Sequence, residues 1–276
     1  MLDDGIPIHL CLECGTAYPQ ALLPPLRCPI CEDERQYVPR TGQAWTTTGE
    51  LKERHTNAWR LLETDLFEIH TKPEFAIGQR ALLIRTREGN FLWDCVALLD
   101  AATVELINGL GGLAGIAVSH PHYYTTCQDW AAAFDCPIYL HAADREWVMR
   151  PSSAICFWEG ATLALAPDVT LIRLGGHFPG SSVMYWMPDT NSGEGVLLTG
   201  DTIQIVGDPD RVTFLWSYPN RIPLSARSVR RIADETAKWR IDRVYDYSID
   251  HRITASGSAA IEYSARRYID LLAEDH

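Results

Sequence analysis

The sequence predicts an α/β protein that carries a small cysteine-rich module at its N-terminus. Aliphatic runs of strand length alternate along the chain with stretches of helical apolar spacing, which is typical of the α/β class. Several of these runs lead into histidine or aspartate residues flanked by glycine, as expected where a sheet presents polar groups at one edge. Two Cys-x-x-Cys pairs precede the runs and indicate the separate module.

The module contains two cysteine pairs. The first is Cys11 and Cys14, and a short proline-containing segment leads to the second, Cys28 and Cys31. Two thiolates across a tight turn hold one ion, and two such pairs complete a closed Cys₄ tetrahedron. The acidic segment at residues 1–4 lacks the basic and apolar parts of an export signal, so we expect a cytoplasmic chain with reduced thiols instead of disulfides.

These cysteines therefore predict a structural Zn²⁺ site in a module of residues 1–42, which we call the Cys₄ module, followed by a main domain of residues 43–276. A segment of ~40 residues buries too little apolar surface to fold alone, so the ion supplies its folding energy. The cysteines with Gly15 and Tyr18 resemble the knuckles of rubredoxin, but their shorter spacing favours a zinc ribbon. The acidic run at residues 32–34 favours a protein partner for the module over nucleic acid.

The main domain begins with a predicted helix that docks the module. Thr47 and Glu50 have the spacing of a capping box, and we expect this helix to run through 59–62. Strands are expected at 66–70, 75–86, 113–118, 169–174 and 195–201, and helices at 101–110, 125–134, 225–239 and 256–273. Thr125 or Thr126 is expected to cap the second of these helices.

Candidate metal ligands follow the strand at 113–118, where His120 and His122 are separated by Pro121. In extended backbone the side chains of residues i and i+2 leave on the same side, so the two imidazoles would converge on one point. His177 follows the strand at 169–174 within a glycine-rich turn, and Asp201 stands at the end of the strand at 195–201. Together they predict a metal site beyond the strand ends.

From Phe75 to the C-terminus the chain resembles the metallo-β-lactamase superfamily. The segment 90–95 is similar to the early strand of that family, which ends in an aspartate. His120 and His122 match the start of its HxHxDH motif, His177 its third motif, and Asp201 its metal-bridging aspartate. The resemblance implies a four-layer αββα sandwich with the metal site along one edge of the sheets.

The chain departs from the family pattern at Tyr124 and Thr125, which stand where the family carries aspartate and histidine of its second metal position. We therefore expect one ion at most, bound by His120, His122 and His177 with Asp201 available as a further ligand. His251 either matches the last histidine of the family and also binds the ion, or has a structural or solvent-exposed role.

Three imidazoles leave a coordination position for water, as in catalytic zinc sites. Asp201 would accept a proton or hold the water, and the Tyr124 phenol would donate to a developing oxyanion. His120, His177 and Asp201 also form a two-histidine, one-carboxylate set that suits Fe²⁺, as in the persulfide dioxygenases of the superfamily. The centre is thus expected to hold one Zn²⁺ or Fe²⁺ ion.

Composition excludes some functions. The chain has 24 Lys and Arg against 36 Asp and Glu, and its net charge of −12 disfavours nucleic-acid and anionic membrane partners. The resemblance to the metallo-β-lactamase superfamily, in which zinc-dependent hydrolysis is the commoner use of the fold, implies a mononuclear hydrolase of a small ester, thioester or related substrate. The alternatives are a non-catalytic binding or scaffold protein and an iron-dependent oxygenase. Buried free thiols are expected at the remaining cysteines, which are Cys95, Cys127, Cys136 and Cys156.

Overall fold

The computed structural model describes residues 5–189 and 194–273. The expectation of a chain without an export signal was based on the acidic segment 1–4. This segment lies outside the described residues. The chain divides into two compact units. The first comprises Met1–Leu140 and Arg145–Phe157, and the second comprises His141–Asp144 and Trp158–His276. Within the described ranges, no helix has the combination of length and apolar content that a membrane crossing requires.

The first unit starts with the Cys₄ module. Strands β1 (His9–Cys11) and β2 (Trp45–Thr47) pair antiparallel, and the short helix α1 (Pro29–Glu32) carries the fourth cysteine. Helix α2 (Thr48–Arg54) follows β2 directly and begins with the predicted capping box, in which Thr47 and Glu50 satisfy each other's backbone amides. The proposed boundary between residues 42 and 43 stays a prediction.

Helix α2 is shorter than predicted, because it ends at Arg54 and the chain continues as strand β3 (Thr56–Glu63). Residues 59–62 therefore lie in a strand and not in the helix. Pairing decides this outcome, since β3 lies along strand β4 (Leu66–Lys72) over its whole length, with Trp59 opposite Ile69. The docking role of α2 is confirmed, because its buried Leu51 packs in one cluster with Leu10 of β1 and Phe75 of the main domain.

The main sheet of the first unit has the strand order β3-β4-β5-β6-β7-β8-β9. Its remaining strands are β5 (Arg80–Thr86), β6 (Gly89–Trp93), β7 (Gly115–Ala117), β8 (Ile138–His141) and β9 (Ile155–Trp158). Strands β6, β7 and β8 run parallel, and helices α3 (Ala101–Gly109) and α4 (Cys127–Phe134) form the two crossovers between them. Strand β5 starts later than the predicted residue 75, because the preceding residues form a turn.

Helix α4 lacks the predicted threonine cap. Thr126 occupies the N-cap position, but its hydroxyl donates to the carbonyl oxygen of Ala97 (3.0 Å) and does not accept an amide of the helix. The hydroxyl of Thr125 donates to the carbonyl oxygen of Cys95 (3.2 Å). Both threonines thus fasten the start of the helix to the loop after β6.

The second unit is built on a sheet with the strand order β10-β11-β12-β13-β18-β19. Its strands are β10 (Thr162–Ala166), β11 (Val169–Arg173), β12 (Ser182–Trp186), β13 (Gly195–Leu198), β18 (Ile241–Tyr245) and β19 (Arg252–Ile253). Between β13 and β18 lie two small ladders and a helix, namely β14 (Gln204–Ile205) with β15 (Val212–Thr213), β16 (Leu215–Ser217) with β17 (Ile222–Pro223), and α5 (Ala226–Thr236). Helix α6 (Gly257–Ala273) completes the unit, and both helices pack on the apolar core of this sheet.

The expectation of buried thiols is confirmed for Cys95, Cys127 and Cys136 but is wrong for Cys156. Cys156 lies on β9, which is the edge strand of its sheet.

The antiparallel part of the first sheet contains a buried charge cluster around Glu68 of β4. The carboxylate of Glu68 is fully buried and forms ion pairs with Arg80 of β5 and Arg60 of β3. His70 lies 3.2 Å from the same carboxylate, and burial lowers its pKa. Removing the charge of Glu68 would leave these cations without their compensating partner in the interior.

We therefore predict that Glu68→Gln lowers the free energy of unfolding by about 3 kcal/mol, the cost typical of breaking a buried ion pair. Urea denaturation of the two proteins measures this difference. Glu262→Gln is the matched control, because Glu262 pairs with Arg266 on the exposed surface of α6, where a pair contributes at most ~1 kcal/mol. Equal losses in the two variants would contradict a structural role for the buried cluster.

Candidate metal centres

The first two candidate ligands follow strand β7. His120 has extended backbone (φ −168°, ψ 171°), whereas His122 lies in a 3₁₀ turn formed by Pro121–Tyr123. The prediction that extended backbone brings these side chains together is therefore wrong, because the strand has already ended at Ala117. The turn does so instead, and the centroids of the two buried rings are 5.1 Å apart with an angle of 77° between the ring planes.

The ring of His120 is oriented by its neighbours. Its Nδ1 atom lies 2.8 Å from the hydroxyl of Ser119, and the amide of Ser119 donates to the carboxylate of Asp94 (2.7 Å). Asp94 is the aspartate in the segment 90–95, which resembles the early strand of the family, and it follows β6 directly. Because Nδ1 is engaged by Ser119, we infer that Nε2 is the nitrogen of His120 that faces a metal.

His177 lies in the glycine-rich turn between β11 and β12. The Nδ1 atom of His177 lies 2.8 Å from the carbonyl oxygen of Trp216, which only accepts hydrogen bonds. Nδ1 therefore carries the proton, and Nε2 keeps its lone pair for a metal. The buried carboxylate of Asp144 holds the same turn by accepting the amide of Gly180 (2.7 Å). A Cβ at Gly180 would lie 2.7 Å from that carboxylate, so the turn requires glycine there.

The predicted strand ended at Asp201, but β13 ends at Leu198, and Asp201 follows it in a turn and is almost completely buried. One of its carboxylate oxygens lies 3.9 Å from Nε2 of His177. The hydroxyl of Tyr218 donates to the backbone carbonyl of Asp201, and the Tyr218 ring packs edge-on against His177. Burial, followed by the charge of Asp201, raises the pKa of Tyr218 and raises that of Tyr247 to about 12. Both phenols therefore keep their protons at neutral pH.

The predicted ligands form a compact group. His120, His122, His177 and Asp201 each offer one ligand atom, these atoms all lie within 4.8 Å of one another, and all four residues are buried. We call this group the His/Asp centre. Imidazole nitrogens with one carboxylate are a donor set that suits Zn²⁺ or Fe²⁺, whereas Mg²⁺ and Ca²⁺ prefer oxygen ligands. The residues present therefore fit one transition-metal ion, and the donor set is compatible with either metal.

Two other predicted site residues lie outside this group of four. His251 lies on an exposed segment between β18 and β19, and its role as a ligand stays a prediction that its exposure does not support. Tyr124 is buried at the end of the 3₁₀ turn that carries His122, and its amide donates to the carbonyl oxygen of Pro121 (3.2 Å). Its role as a proton donor stays a prediction.

The four cysteines of the module form a second group, again with ligand atoms within 4.8 Å of one another. The sulfur atoms of Cys11 and Cys31 are 3.5 Å apart, and those of Cys14 and Cys28 are 3.6 Å apart. Both distances are far longer than the ~2.05 Å of a disulfide. They are close to the ~3.8 Å between sulfurs that surround one zinc ion tetrahedrally at ~2.3 Å.

Neighbouring groups stabilise thiolates in this cluster. The amide of Gln43 donates to the sulfur of Cys11 (3.0 Å), and the hydroxyl of Tyr18 donates to the sulfur of Cys28 (3.1 Å). Hydrogen bonding with the Cys11 thiol is the largest of the contributions that lower the pKa of Cys28. The structure brings the four cysteines together in a group that could hold an ion, while their binding of an ion and the identity of that ion stay predictions.

Comparisons with known proteins agree with this fold. No protein-family model matches the chain. The chain is 45% identical to the uncharacterized protein YmaE of Bacillus subtilis (strain 168) over 269 residues, which are 97% of each protein. Among solved structures, it is similar to the DIM-1 metallo-β-lactamase, with a TM-score of 0.57 and 13% identity over 77% of this chain and 97% of that one.

A second solved structure is that of a B3 metallo-β-lactamase with an active-site glutamic acid. It has a TM-score of 0.51 and 16% identity, and the match covers 75% of this chain and 86% of that one. Both matches confirm the fold class that the motifs indicated. The chain therefore has the fold of the metallo-β-lactamases and belongs to the same family as YmaE of Bacillus subtilis.

Proposed function

We propose that this protein is a mononuclear metal-dependent hydrolase that acts on a small ester, thioester or related substrate. The observation that carries the proposal is the His/Asp centre, in which four buried ligand residues lie close enough together for one ion. A scaffold protein that had lost its chemistry would not need to keep three imidazoles and a carboxylate buried with their ligand atoms within 4.8 Å of one another.

His120, His122 and His177 would hold the ion through imidazole nitrogens. When bound, an ion in such a set acts as a Lewis acid and lowers the pKa of a coordinated water to about 7. The hydrogen bonds at Nδ1 of His120 and of His177 orient the two rings, so the protein arranges the ligands before the ion binds.

Asp201 is the group of the centre that would accept a proton or hold the attacking water by a hydrogen bond. Tyr218 and Tyr247 do not take this role, because their raised pKa values keep them protonated. We further propose that the buried phenol of Tyr124 donates a hydrogen bond to the oxyanion that develops on the substrate.

Asp201→Asn tests the proposed role of the carboxylate. Hydrolysis by the zinc-loaded protein would be measured with p-nitrophenyl acetate, an acyl thioester and ceftazidime, the compound to which the DIM-1 crystals were exposed. We expect an ester or thioester to be hydrolysed, and we expect kcat of the variant to fall by about 10²–10⁴-fold, the range attributed to general acid–base catalysis. The variant keeps the size of the side chain and removes its charge.

Asp208→Asn is the matched control, because Asp208 is exposed and, among the described residues, its carboxylate contacts only the neighbouring loop, where it lies 3.9 Å from Arg211 and accepts the amide of Asp210 (3.1 Å). Its activity should equal that of the unmodified protein. Absence of zinc-dependent hydrolysis of every compound would contradict the proposed reaction class. Oxygen consumption by the iron-loaded protein with a glutathione persulfide would instead support the iron oxygenase, for which His120, His177 and Asp201 form the required set.

The Cys₄ module is also proposed to contact a protein partner. Leu22, Leu23 and Leu26 lie in the loop between its two cysteine pairs and are 78%, 78% and 95% exposed. Apolar side chains exposed side by side are typical of contact surfaces. This partner and the cytoplasmic location stay predictions.

A further inference from the structure

We propose that the Cys₄ module positions His122, so that the folded, metal-loaded module raises the affinity of the His/Asp centre for its own ion. Gln79 is the positioning residue through which the module acts. This inference rests on the proposed function, because it concerns regulation of the same centre.

The side chain of Gln79 joins the two sites directly. Gln79 is 4% exposed and lies immediately before β5. Its amide nitrogen donates to the carbonyl oxygen of Cys14 (2.8 Å) and to the carbonyl oxygen of His122 (3.0 Å). One amide group therefore bridges the backbone of a module ligand and the backbone of a ligand in the His/Asp centre.

A second connection runs through the backbone. The amide of Ala17, in the module, donates to the carbonyl oxygen of Thr125 (3.1 Å), three residues after His122. Thr125 has a positive φ of 32°, a conformation that L residues rarely adopt without support from their surroundings. It stands where the metallo-β-lactamase pattern carries a histidine of the second metal position. In this chain the module contacts that position instead.

The module also approaches this segment closely. Gly15 has a φ of 76°, and a Cβ added there would lie 3.4 Å from the amide nitrogen of Gln79 and 3.6 Å from the side-chain methyl of Thr125. These are ordinary van der Waals distances, so the turn that carries Gly15 lies directly against Gln79 and Thr125.

The physical consequence is a coupling between the two sites. The positions of Cys14 and Ala17 depend on the fold of a module that is too small to fold without its ion. When the module unfolds, the carbonyl of Cys14 and the amide of Ala17 leave, and the turn that carries His122 loses two of its supports. Loss of groups that orient a metal ligand typically lowers metal affinity by 10–100-fold. Because coupling is reciprocal, ion binding at the His/Asp centre also stabilises the module.

Titration of the metal-free protein with Co²⁺ tests this coupling, because the two sites absorb light differently. Co²⁺ bound to thiolates gives a ligand-to-metal charge-transfer band, whereas Co²⁺ bound to imidazole and carboxylate gives only weaker visible bands. We expect Gln79→Leu to lower the affinity of the His/Asp centre for Co²⁺ about tenfold. The isosteric variant Gln79→Glu places an acceptor against two carbonyl oxygens, and we expect a loss at least as large.

Gln20→Leu is the matched control, because Gln20 donates to the carbonyl oxygen of Ile6 (3.0 Å) elsewhere in the module. It should leave the affinity of the His/Asp centre unchanged. Equal affinities of that centre in the unmodified protein, Gln79→Leu and Gln79→Glu would overturn the coupling and leave the proposed function intact. If the unmodified protein binds Co²⁺ at the thiolates and nowhere else, the proposed function and the coupling both fail.

Discussion

Replacing Cys14 and Cys28 by serine should remove one metal ion per chain and unfold the Cys₄ module. The cluster of buried residues around the metal ligands consists of the four cysteines themselves with Tyr18 and Ile30, and the other buried apolar residues of the module, Ile8, Leu10 and Ala17, pack against residues outside it. Without an ion, these residues cannot offset the conformational entropy of the surrounding chain, since structural zinc contributes roughly 10–16 kcal/mol of apparent binding free energy to small domains. This is the largest change in stability that we expect from any pair of substitutions in the chain.

Hydrogen exchange followed by mass spectrometry measures this effect segment by segment. In the double variant, the backbone amides of residues 5–42 should exchange within seconds, while those of the sheet around β5 and β6 stay protected. Cys156→Ser is the matched control, because this thiol is exposed and lies outside the cluster. The contradicting result would be a double variant that binds no ion at the module and still has protected amides there. Such a result would show that the module folds without metal.

Replacing His120 and His177 by alanine should abolish hydrolysis. The double variant removes two ligands of the His/Asp centre, one after β7 and one between β11 and β12. Loss of the ion removes several kcal/mol of transition-state stabilisation, so we expect kcat/KM to fall by about 10³-fold or more. Both ligands lie in loops beyond the strands, so the thermal unfolding midpoint measured without metal should change little.

His55→Ala serves as the control for this pair. His55 caps the C-terminal end of α2, where its ring lies 3.3 Å from the carbonyl oxygen of Leu51, and it has no part in the metal group. Its hydrolytic activity should equal that of the unmodified protein. Full activity in the His120→Ala/His177→Ala variant would show that hydrolysis takes place elsewhere.

The residues that the structure groups together could be predicted from the sequence because each one stands at a recognisable place. His120, His177 and Asp201 follow aliphatic strands, and the carboxyl ends of such strands are where polar residues collect. The cysteines are recognisable by spacing alone, since two thiolates two residues apart form a turn that grips an ion. These predictions needed only residue types and local periodicity.

The supporting groups could not be predicted in this way. The side-chain amide of Gln79 donates to a backbone carbonyl, and the backbone carbonyl of Trp216 accepts from His177. The carboxylate of Asp144 accepts a backbone amide. Such contacts join segments far apart in the sequence and leave no pattern of residue types. Helix α2 was predicted too long for a related reason, because β3 is decided by its pairing with β4 and not by its own apolar spacing.

The most direct test of the metal centre is the number of ions per chain, measured by mass spectrometry of the elements in dialysed, metal-replete protein. We predict two ions in the unmodified chain, one at the cysteines and one at the His/Asp centre, and a single ion in the His120→Ala/His177→Ala variant. The same number of ions in both proteins would contradict the assignment of His120 and His177 as metal ligands.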